Sequence, residues 1–454
     1  MASKPMDTPI VDFVSRYRDS GTARLHMPGH KGCGPLGCEP LDITEIAGAD
    51  ALYEADGILA RSERNASALF GTAATFYSTE GSSQCIRAML YLALLHAPRT
   101  GERPVIAAAR NVHKGFVLAA AMLDFDIVWL WPEDETVTLC RCTVSPAQLE
   151  RTLQRLAHPP AAVYVTSPDY LGGVLDIAGL AETAHRYGVP LLVDNAHGAY
   201  RKFLPEGGHP MDLGADMCSD SAHKTLPVLT GGAYLHISST APADFVENGK
   251  RALAMFGSTS PSYLILQSLD WANAALSAEL PGQFARCAAE VSTWKQRLVE
   301  NGWRIASGEP LKLTIDAANS GWEGAELADC LRRGGVECEY ADPDFVVLMI
   351  SPSNRPEDLE RVGKTLGRNL WSAPLRRPSL RLMPPEVVCT PREAAFFPCE
   401  TVPAAQAVGR VLAEPSVGCP PAVPVVVSGE RIAEDAARVF VYYGIETVRV
   451  LSNS

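Results

Sequence analysis

Two hydrophobic periods share the first 280 residues of the chain. Apolar residues at helical spacing predict an amphipathic helix over 59–70, closed by Gly71-Thr72-Ala73. A short strand over 75–78 then feeds Thr79-Glu80-Gly81-Ser82-Ser83 and a helix over 84–96. Apolar runs over 104–109, 126–131, 161–166 and 189–194 read as buried strands, and helices are expected over 115–123 and 177–187. A further strand spans 231–236, and a long apolar helix runs from 264 to about 280. Strands alternating with helices of this length predict an α/β fold, a parallel sheet with helices on both faces. Farther on, apolar strands over 311–315 and 346–350 flank a helix over 323–333, which places a small α+β domain from near residue 290. Pro374, Pro378, Pro384 and Pro385 mark another boundary, and a compact appendage follows from Val402. The expected organisation is an N-terminal segment (1–60), a large domain (61–285), a small α+β domain (286–375) and a C-terminal appendage (376–454).

Composition narrows the class. The 454 residues carry 40 basic and 52 acidic side chains, a formal charge of −12, which disfavours a nucleic-acid partner and mildly favours cationic ligands. No run reaches the ~18 apolar residues of a membrane span. The first twenty residues mix acidic and basic side chains without the apolar centre of a secretory signal, so a cytoplasmic protein with no membrane association is expected. Twelve cysteines are scattered without a C-x-x-C pair; Cys140 and Cys142 stand closest, and all are read as reduced thiols. His26 and His30 have the i, i+4 spacing of a helical metal pair, but Pro28 and Gly29 interrupt any helix there, and no metal site is expected.

Chemistry concentrates at the strand ends. In Ser219-Asp220-Ser221-Ala222-His223-Lys224-Thr225-Leu226, one lysine stands among hydroxyls that can hold a phosphate, and partial burial would make its amine a nucleophile. Upstream, an apolar strand ends in Asp194-Asn195-Ala196-His197-Gly198, the edge at which open α/β sheets place ligands. Asp194 suits a protonated pyridine nitrogen, and small Ala196 lets a flat ring lie against the backbone. Gly81-Ser82-Ser83 before a helix is an anion site in form, because orphan N–H groups and two hydroxyls converge at the positive end of a dipole. His113 and Ser167 end two more strands. Each residue alone has an ordinary explanation as a cap, a turn or a solvated loop; together they meet the requirements of pyridoxal phosphate.

With these residues the chain resembles the Orn/Lys/Arg decarboxylase family of pyridoxal-phosphate enzymes, in its shorter bacterial form without an N-terminal wing. The resemblance rests on His26-Met27-Pro28-Gly29-His30-Lys31-Gly32, Arg110-Asn111-Val112-His113-Lys114, Asp194-Asn195-Ala196-His197-Gly198, Ser221-Ala222-His223-Lys224-Thr225-Leu226 and Ser258-Thr259-Ser260-Pro261-Ser262-Tyr263. It implies a fold type I, aspartate aminotransferase-like large domain with a mostly parallel seven-stranded sheet, and a small α+β C-terminal domain. It implies decarboxylation of arginine, lysine or ornithine to the amine and CO2, in a homodimer with shared active sites. Lys224 is then the Schiff-base lysine, Asp194 the partner of the ring nitrogen and His113 the ring-stacking residue, with His197 in the catalytic set. Ser82, Ser83, Ser221 and His223 hold the phosphate, Ser167 and Ala196 line the cofactor, and Ser258 and Thr259 reach the phosphate of the neighbouring subunit. The same Lys and Asp also serve transamination, aldol and β-elimination chemistry, and a cofactor-binding but silent homologue is the non-enzyme alternative. Asn195 stands where the family usually has an acid, Gly231 where it has Gln, and Cys85 where it has Gly. Cys419-Pro420-Pro421-Ala422-Val423-Pro424 and Ser428-Gly429-Glu430 correspond to its C-terminal motifs.

Overall fold

The computed structural model of the chain describes residues 6–132, 138, 140–306, 308–370, 373–418 and 423–452. Cys419, Pro420, Pro421 and Ala422 of the C-terminal motif lie outside them. In chain order the elements are α1 (Pro9–Asp19), α2 (Ile58–Phe70), β1 (Ala74–Ser78), α3 (Ser82–His96), β2 (Val105–Ala109), α4 (Lys114–Leu123), β3 (Asp126–Leu130), α5 (Pro146–Arg155), β4 (Ala162–Thr166), α6 (Ile177–Arg186) and β5 (Leu191–Asp194). They continue as β6 (Met217–Asp220), α7 (Ala222–Thr225), β7 (Ala233–Ile237), α8 (Ala243–Ala254), α9 (Tyr263–Leu276), α10 (Leu280–Glu300), β8 (Lys312–Asp316), α11 (Gly324–Arg333), β9 (Tyr340–Ala341), β10 (Phe345–Met349) and α12 (Pro356–Leu366). Last come α13 (Pro391–Phe396), β11 (Cys399–Pro403), β12 (Ser416–Gly418), β13 (Val423–Val426), α14 (Glu434–Tyr442) and β14 (Thr447–Leu451). The first seven strands form one sheet in the order β1-β7-β6-β5-β4-β2-β3. Two compact units divide the chain: 1–102, 155–167 and 177–283 in one, 103–154, 168–176 and 284–454 in the other.

In the first unit β4, β5 and β6 run parallel, while β7 is antiparallel to both β6 and β1. The direction of β1 therefore matches that of β4–β6, and all four strands end at one edge. Their residues are almost wholly buried, which explains continuous apolar runs such as Leu191-Leu192-Val193 rather than an alternating pattern. Two helices replace the single one expected beyond residue 264. Pro281 stands in the first turn of α10, where its missing N–H costs nothing, and a helix continuing through it from α9 would clash. Prolines also start α1, α5 and α12, three helices that the sequence pattern does not single out because Pro reads there as a breaker.

In the second unit β2 and β3 pair in parallel, and β8-β10-β9 form a separate antiparallel sheet. Tyr340 and Val347 of that sheet share one apolar core with Val425, Val426, Val439, Phe440 and Val450 of the C-terminal segment. A buried ion pair ties the same segment to the end of β2. Arg110 donates through both terminal nitrogens to Glu430, at 2.8 and 2.7 Å, and its guanidinium lies 4.6 and 4.7 Å from the ring centres of Trp129 and Trp131. Glu430 also accepts from the Val427 N–H at 2.7 Å.

Removing one member of such a pair leaves an uncompensated buried charge, so Glu430→Ala is expected to lower unfolding free energy by about 3–5 kcal/mol, with Arg110→Met/Glu430→Leu recovering most of it. Urea denaturation of the three proteins checks this; a double variant no better than the single one contradicts it. A second expectation concerns Asp270, which accepts from the Ile10 and Val11 N–H groups at 2.9 and 3.0 Å and from Ser62 Oγ at 2.5 Å. Burial pushes its carboxyl up to about 6. Because the unfolded chain releases this proton near pH ~4, the folded state holds it more tightly, and the contribution is complete below pH ~4 and lost as pH rises through about 6. Relative to Asp270→Asn, wild-type stability should fall by roughly 2 kcal/mol between pH 4 and pH 7. A difference that stays flat over that range would contradict the assignment.

Candidate active site

The common edge of β1, β4, β5 and β6 gathers most of the residues singled out in the sequence. After β1 the chain turns at Gly81, whose φ of +71° suits glycine, and enters α3 at Ser82 and Ser83, both half-buried. The Gly81 N–H donates to the Gly231 carbonyl at 2.8 Å, and the His223 N–H donates to the Gly232 carbonyl at 3.1 Å. Through this one stretch of backbone leading into β7, the Gly-Ser-Ser turn and the Ser-Ala-His-Lys turn are brought side by side. Gly231 itself has φ +98°, and a Cβ there would stand 2.9 Å from the Thr79 carbonyl oxygen. Glycine is thus what this backbone requires at the position where the family pattern has Gln.

Lys224 sits in α7, a single helical turn, and is half-buried. Its Nζ is 3.1 Å from Nε2 of the buried His197. At the end of β5, Asp194 is 2% exposed; its carboxylate accepts from Tyr164 Oη at 3.2 Å and from the Ala196 N–H at 3.2 Å. Burial raises the Asp194 carboxyl, and the positive charge of Lys224 opposes that rise. Ser167 is buried beyond β4, its N–H bonded to the Asp194 carbonyl at 3.0 Å, and Ala196 is buried beside them.

Pyridoxal phosphate can be tested against these residues through their unsatisfied groups. Among the described residues Ser221 Oγ and Thr225 Oγ1 are buried hydroxyls with no hydrogen-bond partner, and Ser221 does not spend its hydroxyl on capping α7. At Gly81 a Cβ would meet none of the described residues within 4 Å. Orphaned hydroxyls beside the positive end of the 15-residue α3 are what a phosphate dianion needs, so the residues fit the group. The ionisable Asp194 and the amine of Lys224 would supply the two remaining partners.

Other predicted residues lie elsewhere. Ser258 and Thr259 are exposed in the loop between α8 and α9, next to Gly257, which packs against Tyr53 and Gln84. His113, in the second unit, is the N-cap of α4 and accepts from the Gly115 N–H at 3.0 Å. His26 and His30 stay outside helices, His26 against Tyr17 and His30 against Asp42. Cys140 and Cys142 are buried free thiols, and burial pushes the Cys85 thiol up to about 12, so it behaves as an inert apolar filler. Tyr164 and Asp220 were not marked by the sequence pattern. Tyr164 sits inside an apolar strand and reads as core; Asp220 is masked by the more conspicuous lysine four residues on.

Comparison with known proteins agrees with this architecture. Residues 8–317 match the family described as Orn/Lys/Arg decarboxylase, major domain, and residues 380–448 match its C-terminal domain. An uncharacterized Bacillus subtilis protein, YaaO, is 28% identical over 95% of this chain and 93% of its own length. Arginine decarboxylase of the same organism is 27% identical over 94% of this chain and 92% of its own. Among solved structures, the constitutive lysine decarboxylase of E. coli superposes with a TM-score of 0.77 at 18% identity, covering 98% of this chain and 82% of that one. Among the described residues no helix is long and apolar enough to cross a membrane. The fold is that of the fold type I pyridoxal-phosphate enzymes, and the chain belongs to the Orn/Lys/Arg decarboxylase family, as a pyridoxal-phosphate-dependent amino-acid decarboxylase.

Proposed function

We propose that this enzyme decarboxylates a basic amino acid, arginine, lysine or ornithine, to the corresponding amine and CO2, and that it works as a homodimer. The observation that carries the reading is the Lys224 amine 3.1 Å from His197 at the edge where the buried Asp194 ends β5. Relatives named arginine decarboxylase support a basic substrate, and so does the surplus of acidic side chains.

Each residue then has a task. Lys224 would be the amine that holds the cofactor, and His197 Nε2, 3.1 Å from its Nζ, would exchange a proton with it. Asp194, steadied by Tyr164 and the Ala196 N–H, would hold the ring nitrogen. Ser82, Ser83, Ser221 and His223 hold the phosphate, with Thr225 as an added donor from the same turn. Ser167 and Ala196 line the ring. His113 is assigned to stack on the ring, and Ser258 and Thr259 to the neighbouring subunit's phosphate, on the resemblance. When bound, pyridoxal phosphate would supply an electron sink for the decarboxylation. The protein supplies orientation of that bond and the electrostatics around it.

The test is release of CO2 and amine from the cofactor-supplemented protein given arginine, lysine, ornithine and neutral amino acids separately. Equal amounts of amine and CO2 from one basic amino acid are expected, with release by Lys224→Ala at background. Protein that retains the cofactor on a lysine and releases no CO2 from any member of the panel would reject this substrate class; a lysine adduct persisting in Lys224→Ala would reject the assignment of the amine.

A further inference from the structure

Behind the Lys224 edge lies a second cluster of ionisable groups that the reaction as described does not use. Asp220, the last residue of β6, is completely buried and accepts four hydrogen bonds. His209 Nε2 stands 2.9 Å and His236 Nε2 3.2 Å from Oδ2, while Asn195 Nδ2 at 2.6 Å and Cys218 Sγ at 3.3 Å approach Oδ1. Both imidazoles are buried, packed around Phe70, and each has its other nitrogen occupied. His209 Nδ1 accepts from the Met211 N–H at 3.3 Å, and His236 Nδ1 is 2.8 Å from Thr75 Oγ1.

His209, Cys218 and Asp220 are close enough to suggest a metal. The tautomer argues against it. A ring whose Nδ1 accepts a backbone N–H carries its proton on Nε2, so His209 presents a donor to Asp220 where a metal needs a lone pair. The cluster is instead a carboxylate surrounded by donors. Burial works to raise the Asp220 carboxyl, and the two imidazoles more than offset it, leaving it below the ordinary carboxylate range. Burial also pushes His236 toward its neutral form.

One of the four donors leads directly to the reaction site. Asn195 follows Asp194, and its N–H bonds the Ser219 carbonyl at 2.9 Å, so main chain and side chain both tie the end of β5 to β6. We propose that Asp220 is a positioning residue for the decarboxylation, a fixed buried anion that anchors Asn195 and supplies negative charge behind Asp194, so that the cofactor's ring nitrogen keeps its proton throughout the working pH range. This inference rests on the reading that Asp194 meets that nitrogen. The groups whose charge or hydrogen bond acts on Asp194 are Lys224, Tyr164 and Asp220, and those acting on or feeling Asp220 are His209, His236, Cys218 and Tyr234, with Cys85 feeling the charge of both carboxylates and Lys202 acting on His236. Of the charges acting on Asp194, that of Lys224 opposes protonation and that of Asp220 favours it. The resemblance puts an acid at position 195; here an amide stands there, and the acid is 2.6 Å away on the neighbouring strand.

The test uses holoenzyme loaded with pyridoxal phosphate carrying nitrogen-15 in the ring, whose chemical shift reports ring protonation independently of turnover. Wild type is expected to show the protonated shift from pH 6 to pH 9. In Asp220→Asn the protonation midpoint should fall by about one unit or more, bringing the neutral ring into the upper part of that range. An Asp220→Asn profile identical to wild type would overturn the inference. Asn195→Asp/Asp220→Asn, which exchanges acid and amide across the 2.6 Å contact, should restore the wild-type profile and keeps the question open to measurement if the single variant fails to fold. A folded exchange variant with a neutral ring would equally overturn it. Asp194→Asn separates the two readings: if its ring stays protonated, it is the assignment of Asp194 that has failed.

Discussion

Charge buried in an apolar sheet sets the terms for everything else in this enzyme. An isolated carboxylate or guanidinium costs several kcal/mol to bury, and only converging hydrogen bonds or a counter-charge make it tolerable. The chain meets the requirement in different ways. Arg110 and Glu430 neutralise each other between two tryptophan rings. Asp220 has four donors, and Asp194 has a phenol, a backbone N–H and the nearby Lys224 amine. Where partners are fixed, the charge is structural. Where the partner is itself ionisable, as His197 is at 3.1 Å from the Lys224 amine, the same physics leaves room for chemistry.

Strand direction explains why these charges meet. Because β7 reverses between β6 and β1, the loop after β1, the loop after β6 and the entry to β7 fall at a single edge. The carbonyls of Gly231 and Gly232 then hold both turns at once. A purely parallel order would send the chain through a crossover before β7 and would not deliver its first residues beside Gly81. The antiparallel strand is thus part of the site's construction, and at the left-handed Gly231 that leads into it a Cβ would stand 2.9 Å from the Thr79 carbonyl oxygen.

Much of this could be read from the sequence for a physical reason. Fully buried strands have no solvent face, so they appear as apolar runs ending abruptly in polar residues, and Asp194, Ser167 and the Ser221–Lys224 turn stand at such ends. Lys224 stands out because lysine is rare among small hydroxyl residues. Asp220 did not stand out, since its partners His209 and His236 come from separate stretches and only strand pairing brings them together. Nor does periodicity reveal Tyr164, whose ring completes an apolar strand while its hydroxyl serves Asp194. Helices begun by Pro9, Pro146 and Pro356 were hidden by the same residue that makes good first turns and bad interiors.

The departures from the family pattern acquire a common explanation in the geometry. Asn195 would leave the position after Asp194 without an acid, were Asp220 not 2.6 Å away on the neighbouring strand. An acid at both positions would place two carboxylates within hydrogen-bond distance, and one would have to take up a proton, as paired carboxylates do. The amide and the acid are therefore a matched set. Gly231 is matched in the same sense to the Thr79 carbonyl, and Cys85 to a site where burial suppresses its thiolate. Each departure fits its neighbours in this chain, which is how a site keeps one arrangement of charge while the residues carrying it change.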